Sequence, residues 1–186
     1  NNGSTAKLEV IGTLNNSYPE YSYPIMVSDD AAYNSSAGPG GGIGFAFKQN
    51  SGGSYAQAGG IRGIKENTTD GNYASALTFY TRPNGGGTEE RLRIDSSGRL
   101  LHKHTSSRNV GTKTGQIQVI NSGNDAAISI IQTNNAGSAP FLAFGKTRSA
   151  DTTGSTIVQD GDSLGQILFA GADETDIDST GATITA

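Results

Sequence analysis

The chain has 186 residues, no cysteine, 33% apolar residues, 16% charged residues and a net charge of −4. These values exclude disulfides and cysteine-based metal sites, and they argue against nucleic acid as a partner, which calls for clustered Lys and Arg. No apolar run reaches the roughly 18 residues a membrane helix needs.

In chain order the signal is period two. Lys7-Leu-Glu-Val-Ile11 reads as a first strand, Ile43-Gly-Phe-Ala-Phe-Lys48 as a second and Gly60-Ile-Arg-Gly-Ile-Lys65 as a third. Leu77-Thr-Phe-Tyr80 and Leu92-Arg-Ile94 continue the series. Between them stand Gly38-Pro-Gly-Gly-Gly42, Asn50-Ser-Gly-Gly53, Asp70-Gly-Asn72 and Pro83-Asn-Gly-Gly-Gly87, where Gly supplies positive φ and Asn or Asp tolerates it. Strands at this spacing predict an all-β, sandwich-like form. Helical periodicity is absent, beyond a single turn over Asp29–Ser35. Arg91 and Arg93 are expected on one strand face, paired with Glu89 and Glu90 at the surface.

The second half resembles the first. Gln116–Ile120 is similar to Lys7–Ile11, Ala139–Lys146 to Gly42–Lys48, and Leu164–Gly171 to Gly59–Ile64. The offset of roughly 100 residues exceeds the period of solenoid repeats, so the expectation is tandem modules. A first β-rich module occupies 1–101. A polar linker occupies 102–114. A second copy occupies 115–186 and stops before any counterpart of Leu77–Tyr80 and Leu92–Arg99. The chain opens Asn1-Asn2-Gly3 without a signal-peptide pattern, as expected of a fragment or a processed product.

Few residues suggest chemistry. His102 and His104 are the only histidines. In an extended segment both imidazoles leave the same face, and one chain then offers two nitrogen ligands. Asp160-Gly-Asp162 and Asp173-Glu-Thr-Asp-Ile-Asp178 offer oxygen ligands of the kind calcium takes, without EF-hand spacing. Asp160-Gly161 also reads as a hairpin turn before Leu164–Ala170. No G-x-S-x-G elbow is present, and Gly38–Gly44 lacks the Lys-Ser/Thr of a phosphate loop. A carboxylate pair of the glycosidase kind stays open among 17 acidic residues. Tyr18, Tyr21, Tyr23 and Tyr33 crowd one stretch with Pro19 and Pro24. They suit either stacking on sugar rings or a subunit interface, where Tyr is enriched.

Ala76-Leu-Thr-Phe-Tyr-Thr-Arg82, the following Gly-rich loop and Thr88-Glu-Glu-Arg-Leu-Arg-Ile-Asp-Ser-Ser-Gly-Arg-Leu-Leu101 together resemble a module of bacteriophage tail-fibre and other virion appendage proteins. The resemblance is specific over Leu77–Leu101 and looser over Leu164–Asp178. It departs after the Ser-Ser-Gly-Arg turn, where Leu100-Leu-His-Lys-His-Thr105 stands in place of a Gly-Ile-Gly-Thr-like run.

The resemblance implies a non-enzymatic structural segment of an elongated, partly intertwined homotrimer. Its neighbours would be other virion tail or fibre proteins, and a host surface glycan or receptor. It would be assembled in the host cytoplasm and carried on the virion, with no nucleic acid bound and no membrane insertion. Thin apolar content agrees with a core completed by other chains. In a trimer the H-x-H pairs of three chains offer six nitrogens, an octahedral set suited to iron or another transition metal, similar to sites in some trimeric phage fibres. No other cofactor is expected. The alternatives are a carbohydrate-binding module and a non-viral extracellular filament or adhesin.

Overall fold

A computed structural model describes residues 25–29, 38, 40–135 and 137–186. The expected strand Lys7–Ile11 and the tyrosines Tyr18, Tyr21, Tyr23 and Tyr33 lie outside the described residues. Within them the chain is all-β, and no helix is long and apolar enough to cross a membrane. It divides into two units between Ser97 and Gly98.

Unit 1 holds β1 (Gly42–Lys48), β2 (Tyr55–Lys65), β3 (Ser75–Thr81) and β4 (Glu89–Ile94), hydrogen-bonded in that order as antiparallel neighbours. Each connection is closed by the residues expected to reverse the chain. Asn50 accepts Gly53 N–H with its carbonyl and Ser54 N–H with its side chain, and Gly53 sits at φ +81°. In the β2–β3 loop the Lys65 ammonium donates to the carbonyls of Thr69 and Asn72, while Asn72 Oδ1 accepts Ala74 N–H. After β4, Asp95 Oδ1 accepts Ser97 N–H, an Asx turn that explains why Asp-Ser-Ser reverses here. The described part of unit 1 is one sheet. The second layer of the expected sandwich is not supplied by the described residues of this unit.

Two register shifts break the alternation. Phe45 pairs with Gly59 but Ala46 with Gln57, which leaves Ala58 as an extra residue. Leu92 pairs with Phe79 but Glu90 with Tyr80, which leaves Arg91 extra. The second bulge decides where charges go. Glu90 and Arg93, three apart, share the face of Tyr80 and Thr78. Arg91 instead donates to Thr81 Oγ1 and pairs with Glu89. The expectation that Arg91 and Arg93 share a face fails because strict alternation does not survive a bulge.

Unit 2 holds β5 (Leu100–His102), β6 (Asn109–Val110), β7 (Lys113–Thr114), β8 (Ile117–Val119), β9 (Gln166–Gly171) and β10 (Ser179–Thr185). β5 and β8 pair in parallel, Leu101 opposite Gln118. Between them the stretch expected to be a linker forms the β6–β7 hairpin. β9 and β10 form an antiparallel pair, with a register shift at Gly181. Ala139–Lys146, expected as a strand, forms none. Pro140 removes a donor, and Phe141, Leu142 and Phe144 stay exposed.

Gly111 ties the small hairpin to the β9–β10 loop. Its N–H donates to the Ile177 carbonyl at 2.7 Å, its φ is +59°, and a Cβ there would stand 2.7 Å from Leu168 Cδ2. A left-handed backbone costs a non-glycine residue about 1–2 kcal/mol before any clash. Gly111→Ala should therefore destabilise unit 2 by about 2 kcal/mol or more, read by amide exchange over β9. Thr112→Ala, at an exposed neighbouring position, should leave that protection unchanged.

Candidate functional site

The two faces of the β1–β4 sheet differ sharply. Directly opposed residues share a face, so the pairings Ile43↔Ile61, Ile61↔Phe79 and Phe79↔Leu92 lay one apolar row across four strands. Gly63↔Leu77 and Leu77↔Ile94 add a second row, and Phe45 and Phe47 extend the same face along β1. Ile43, Phe45, Phe47, Ile61, Leu77 and Ile94 are each 36–54% exposed. Charge is confined to the borders. Lys65, at one end, turns its ammonium into the β2–β3 loop, and Glu89, at the other, pairs with Arg91.

The opposite face is packed and internally satisfied. Ile64 and Ala76 are buried there, and Thr78, fully buried, donates its hydroxyl to the Arg62 carbonyl at 3.0 Å. Arg93, 8% exposed, forms a two-pronged pair with Glu90, Nε to Oε1 at 2.6 Å and Nη2 to Oε2 at 2.8 Å. Glu66 lies 3.7 Å from Arg93 Nη1, and its other oxygen accepts Ser96 N–H. The hydrogen bond to Glu90 holds the guanidinium above its usual range, against the opposing effect of burial. Towards β1 this face thins to Gly42, Gly44 and Gly60. The result is a groove of about 380 Å³, lined also by Gln57, Arg62, Tyr80 and Thr88, with Arg62 over the Tyr80 ring at 6.0 Å.

Unit 2 carries an open pocket of about 630 Å³, lined by apolar Val110, Ile117, Val119, Leu168 and Ile177 and by polar Arg108, Lys113, Gln118, Asn121 and Gln166. Its β9–β10 loop brings the carboxylates of Asp173, Asp176 and Asp178 within 4.8 Å of one another, all exposed. Asp173 Oδ1 accepts the N–H groups of Thr175 and Asp176, which lowers its pKa. The hydrogen bond and negative charge of Asp176 raise that of Asp178. A turn is present at Asp160-Gly161, with Gly161 at φ +85° and Asp162 N–H donating to the Gln159 carbonyl, but no strand leads into it and β9 pairs with β10, so it is not the expected hairpin turn.

Asp162 also receives Arg148 in a two-pronged pair at 2.6 and 2.7 Å. That pair, followed by the Gln159 N–H, pushes the Asp162 carboxyl down to about 2. A carboxyl depressed in the folded state stabilises it above the unfolded value and loses that effect as pH falls through the folded value. The loop should thus stay pinned at about pH 4 and loosen towards pH 2. Carboxyl NMR titration of Asp162 and amide exchange at Gln159 check this. Asp162→Asn should loosen the loop at every pH.

His102 closes β5, and its carbonyl accepts Ile120 N–H. Lys103 then adopts φ +57°, and His104 follows outside the strand. The segment is not extended at Lys103, so alternation does not set the relation of the two imidazoles. Both histidines are half-buried. Among the described residues of one chain, the acidic trio is the cluster of three or more potential metal ligands. Sequence reasoning named the carboxylates but missed the sheet face, whose signal was the strand alternation itself.

No protein-family model matches this sequence, and no curated protein matches it.

Proposed function

We propose that the chain is a structural segment of a bacteriophage tail fibre or similar virion appendage, working as a homotrimer that positions or contributes to host-surface attachment. The observation that carries this reading is the imbalance within unit 1. Among the described residues of unit 1 the buried apolar side chains are Ala56, Ile64 and Ala76, while larger ones stay half-exposed on one sheet face. The described sheet by itself therefore buries little apolar mass, and association would add to it. The resemblance over Leu77–Leu101 supports the appendage assignment, with other tail or fibre proteins as neighbours and the virion as location. The proposed role is mechanical and non-catalytic. An iron or other transition metal held by His102 and His104 of three chains belongs to the same proposal.

Absolute mass by light scattering tests it. The expected value is three times 19.1 kDa, about 57 kDa. Loss of that mass with a chelator supports the histidine site, and an unchanged mass removes it. A folded monomer at all concentrations overturns the trimer. Open-ended growth favours a non-viral filament, because a closed ring stops growing and a helical array does not.

The glycine-floored groove with Tyr80, Gln57 and Arg62 favours a second reading, in which this face contacts a surface glycan. Saturable, sugar-dependent NMR shifts of Gly44 and Gly60 amides support it. Their absence up to tens of millimolar sugar removes it.

A further inference from the structure

We propose that the apolar face of the β1–β4 sheet is covered by the same face of other copies of this chain, with Phe45 or Phe47 of one copy seated in the hollow above Gly63 of the next. The number of copies rests on the fibre-segment reading; the surface does not.

Three observations identify the occupant. The first is area. Six side chains at 36–54% exposure present roughly 500 Å² of apolar surface, at the upper end of the largest patch on a typical monomer. Two copies closing face to face would remove about 1,000 Å², the lower bound for a specific interface, and three would share about 1,500 Å² among three contacts.

The second is charge. The face has none between its borders, and Lys65 and Glu89 are both engaged within their own chain. A partner that is itself charged finds nothing to pair with here, whereas an identical face meets it without leaving a buried ion unpaired.

The third is relief. Phe45 and Phe47 stand up from β1, half-exposed. Gly63 lies on the same face, opposite Leu77 and two residues from Ile61. A Cβ placed on Gly63 meets nothing within 4 Å, so the surface is hollow there. Knob and hollow sit at different places on one face. Mating them joins unlike parts of two copies, a head-to-tail contact that closes into a ring under a suitable rotation. Glycine in a strand interior weakens the strand and marks a close approach of another group. Within the described residues of unit 1, no group makes that approach at Gly63.

The test uses the full chain. Gly63→Leu fills the hollow, and the isolated sheet has room for it, because the backbone there is not left-handed and no atom lies near. If the face is free, the variant keeps the parent's mass and melts no lower. If another copy's ring sits there, the midpoint of the mass-against-concentration curve moves at least tenfold towards higher concentration. Phe45→Ser should do the same.

A cysteine pair keeps the test decisive should either variant fold poorly. The parent has no cysteine, so Phe45→Cys with Gly63→Cys introduces the only thiols. Gly63 N–H bonds to Gly41, four residues along the strand from Phe45. Within one chain the pair is therefore about 13 Å apart, beyond disulfide reach, so any disulfide joins two copies. Mild oxidation should give covalent dimers and trimers on a non-reducing gel, with no larger species.

A trimeric parent with no cross-linking, and with Gly63→Leu assembling as the parent does, overturns this surface and leaves the trimer standing. A parent that is monomeric throughout overturns both. A ladder continuing past three keeps the surface and overturns closure.

Discussion

Arg93→Ala should destabilise unit 1 by about 2–4 kcal/mol, because it leaves the largely covered carboxylates of Glu90 and Glu66, 16% and 18% exposed, without their partner. Glu90 makes both prongs of its ion pair with Arg93, and Glu66 lies 3.7 Å away. Arg93 is 8% exposed, so water reaches the site poorly and replaces little of what is lost. Arg93→Lys should recover only part, since an ammonium does not reproduce the fork. Replacing the pair together, Arg93→Met with Glu90→Leu, should cost much less than Arg93→Ala alone, because the desolvation of both charges disappears with them. Denaturant unfolding at one fixed protein concentration reads all three, since assembly makes apparent stability depend on concentration. If Arg93→Ala costs under about 1 kcal/mol, the pair behaves as a solvated surface bridge and the burial argument fails.

Leu101→Ala should cost about 2–5 kcal/mol in unit 2. Leu101 is 1% exposed, the most buried apolar side chain among the described residues. It sits on β5 opposite Gln118 of the parallel strand β8. Removing three carbons from a site that closed loses both transfer energy and packing contacts. Leu100→Ala, at a half-buried neighbour on the same strand, should cost clearly less. The same unfolding curves, followed through a probe in β8, separate the two. Equal losses would mean that Leu101 lacks the packing its burial implies.

Alternation made β1 to β4 legible, because Ile43-Gly-Phe-Ala-Phe and Leu77-Thr-Phe-Tyr carry large apolar groups at every second place. The turns were legible for the same local reason, through Asn50-Ser-Gly-Gly53 and Asp95-Ser-Ser-Gly98. β10 was not, because Ser179-Thr-Gly-Ala-Thr-Ile-Thr185 carries one large apolar residue and is held by pairing with β9. The β6–β7 hairpin was too short to show a period. Ala139–Lys146 has a strand's apolar content without a strand, since content alone does not supply a neighbour to hydrogen-bond. The side on which Glu90, Arg91 and Arg93 fall depends on a bulge that no residue type announces. Lys103 at φ +57° is equally silent, because lysine carries no preference for that conformation. Alternation showed that Ile43, Phe45 and Phe47 share a face. Whether that face is covered depends on everything else in the fold.

The bulges at Ala58 and Arg91 bear on what happens when the sheet is pulled. β2 is rich in glycine, and glycine-rich strands specify register weakly and tend to slip. Between β2 and β3, seven consecutive pairs run from Gly59↔Thr81 to Lys65↔Ser75 without a bulge, so a slide of two residues is resisted there only by side-chain ties such as the Thr78 hydroxyl on the Arg62 carbonyl and the Lys65 bonds in the loop. The flanking pairs differ, because in each an extra residue has no opposite number. Sliding β1 past β2, or β4 past β3, would carry that residue into a stretch with no space for it. Under shear along the strands the outer pairs hold like a toothed rack until their hydrogen bonds rupture together. Creep starts at the seam between β2 and β3, the pairing without a bulge.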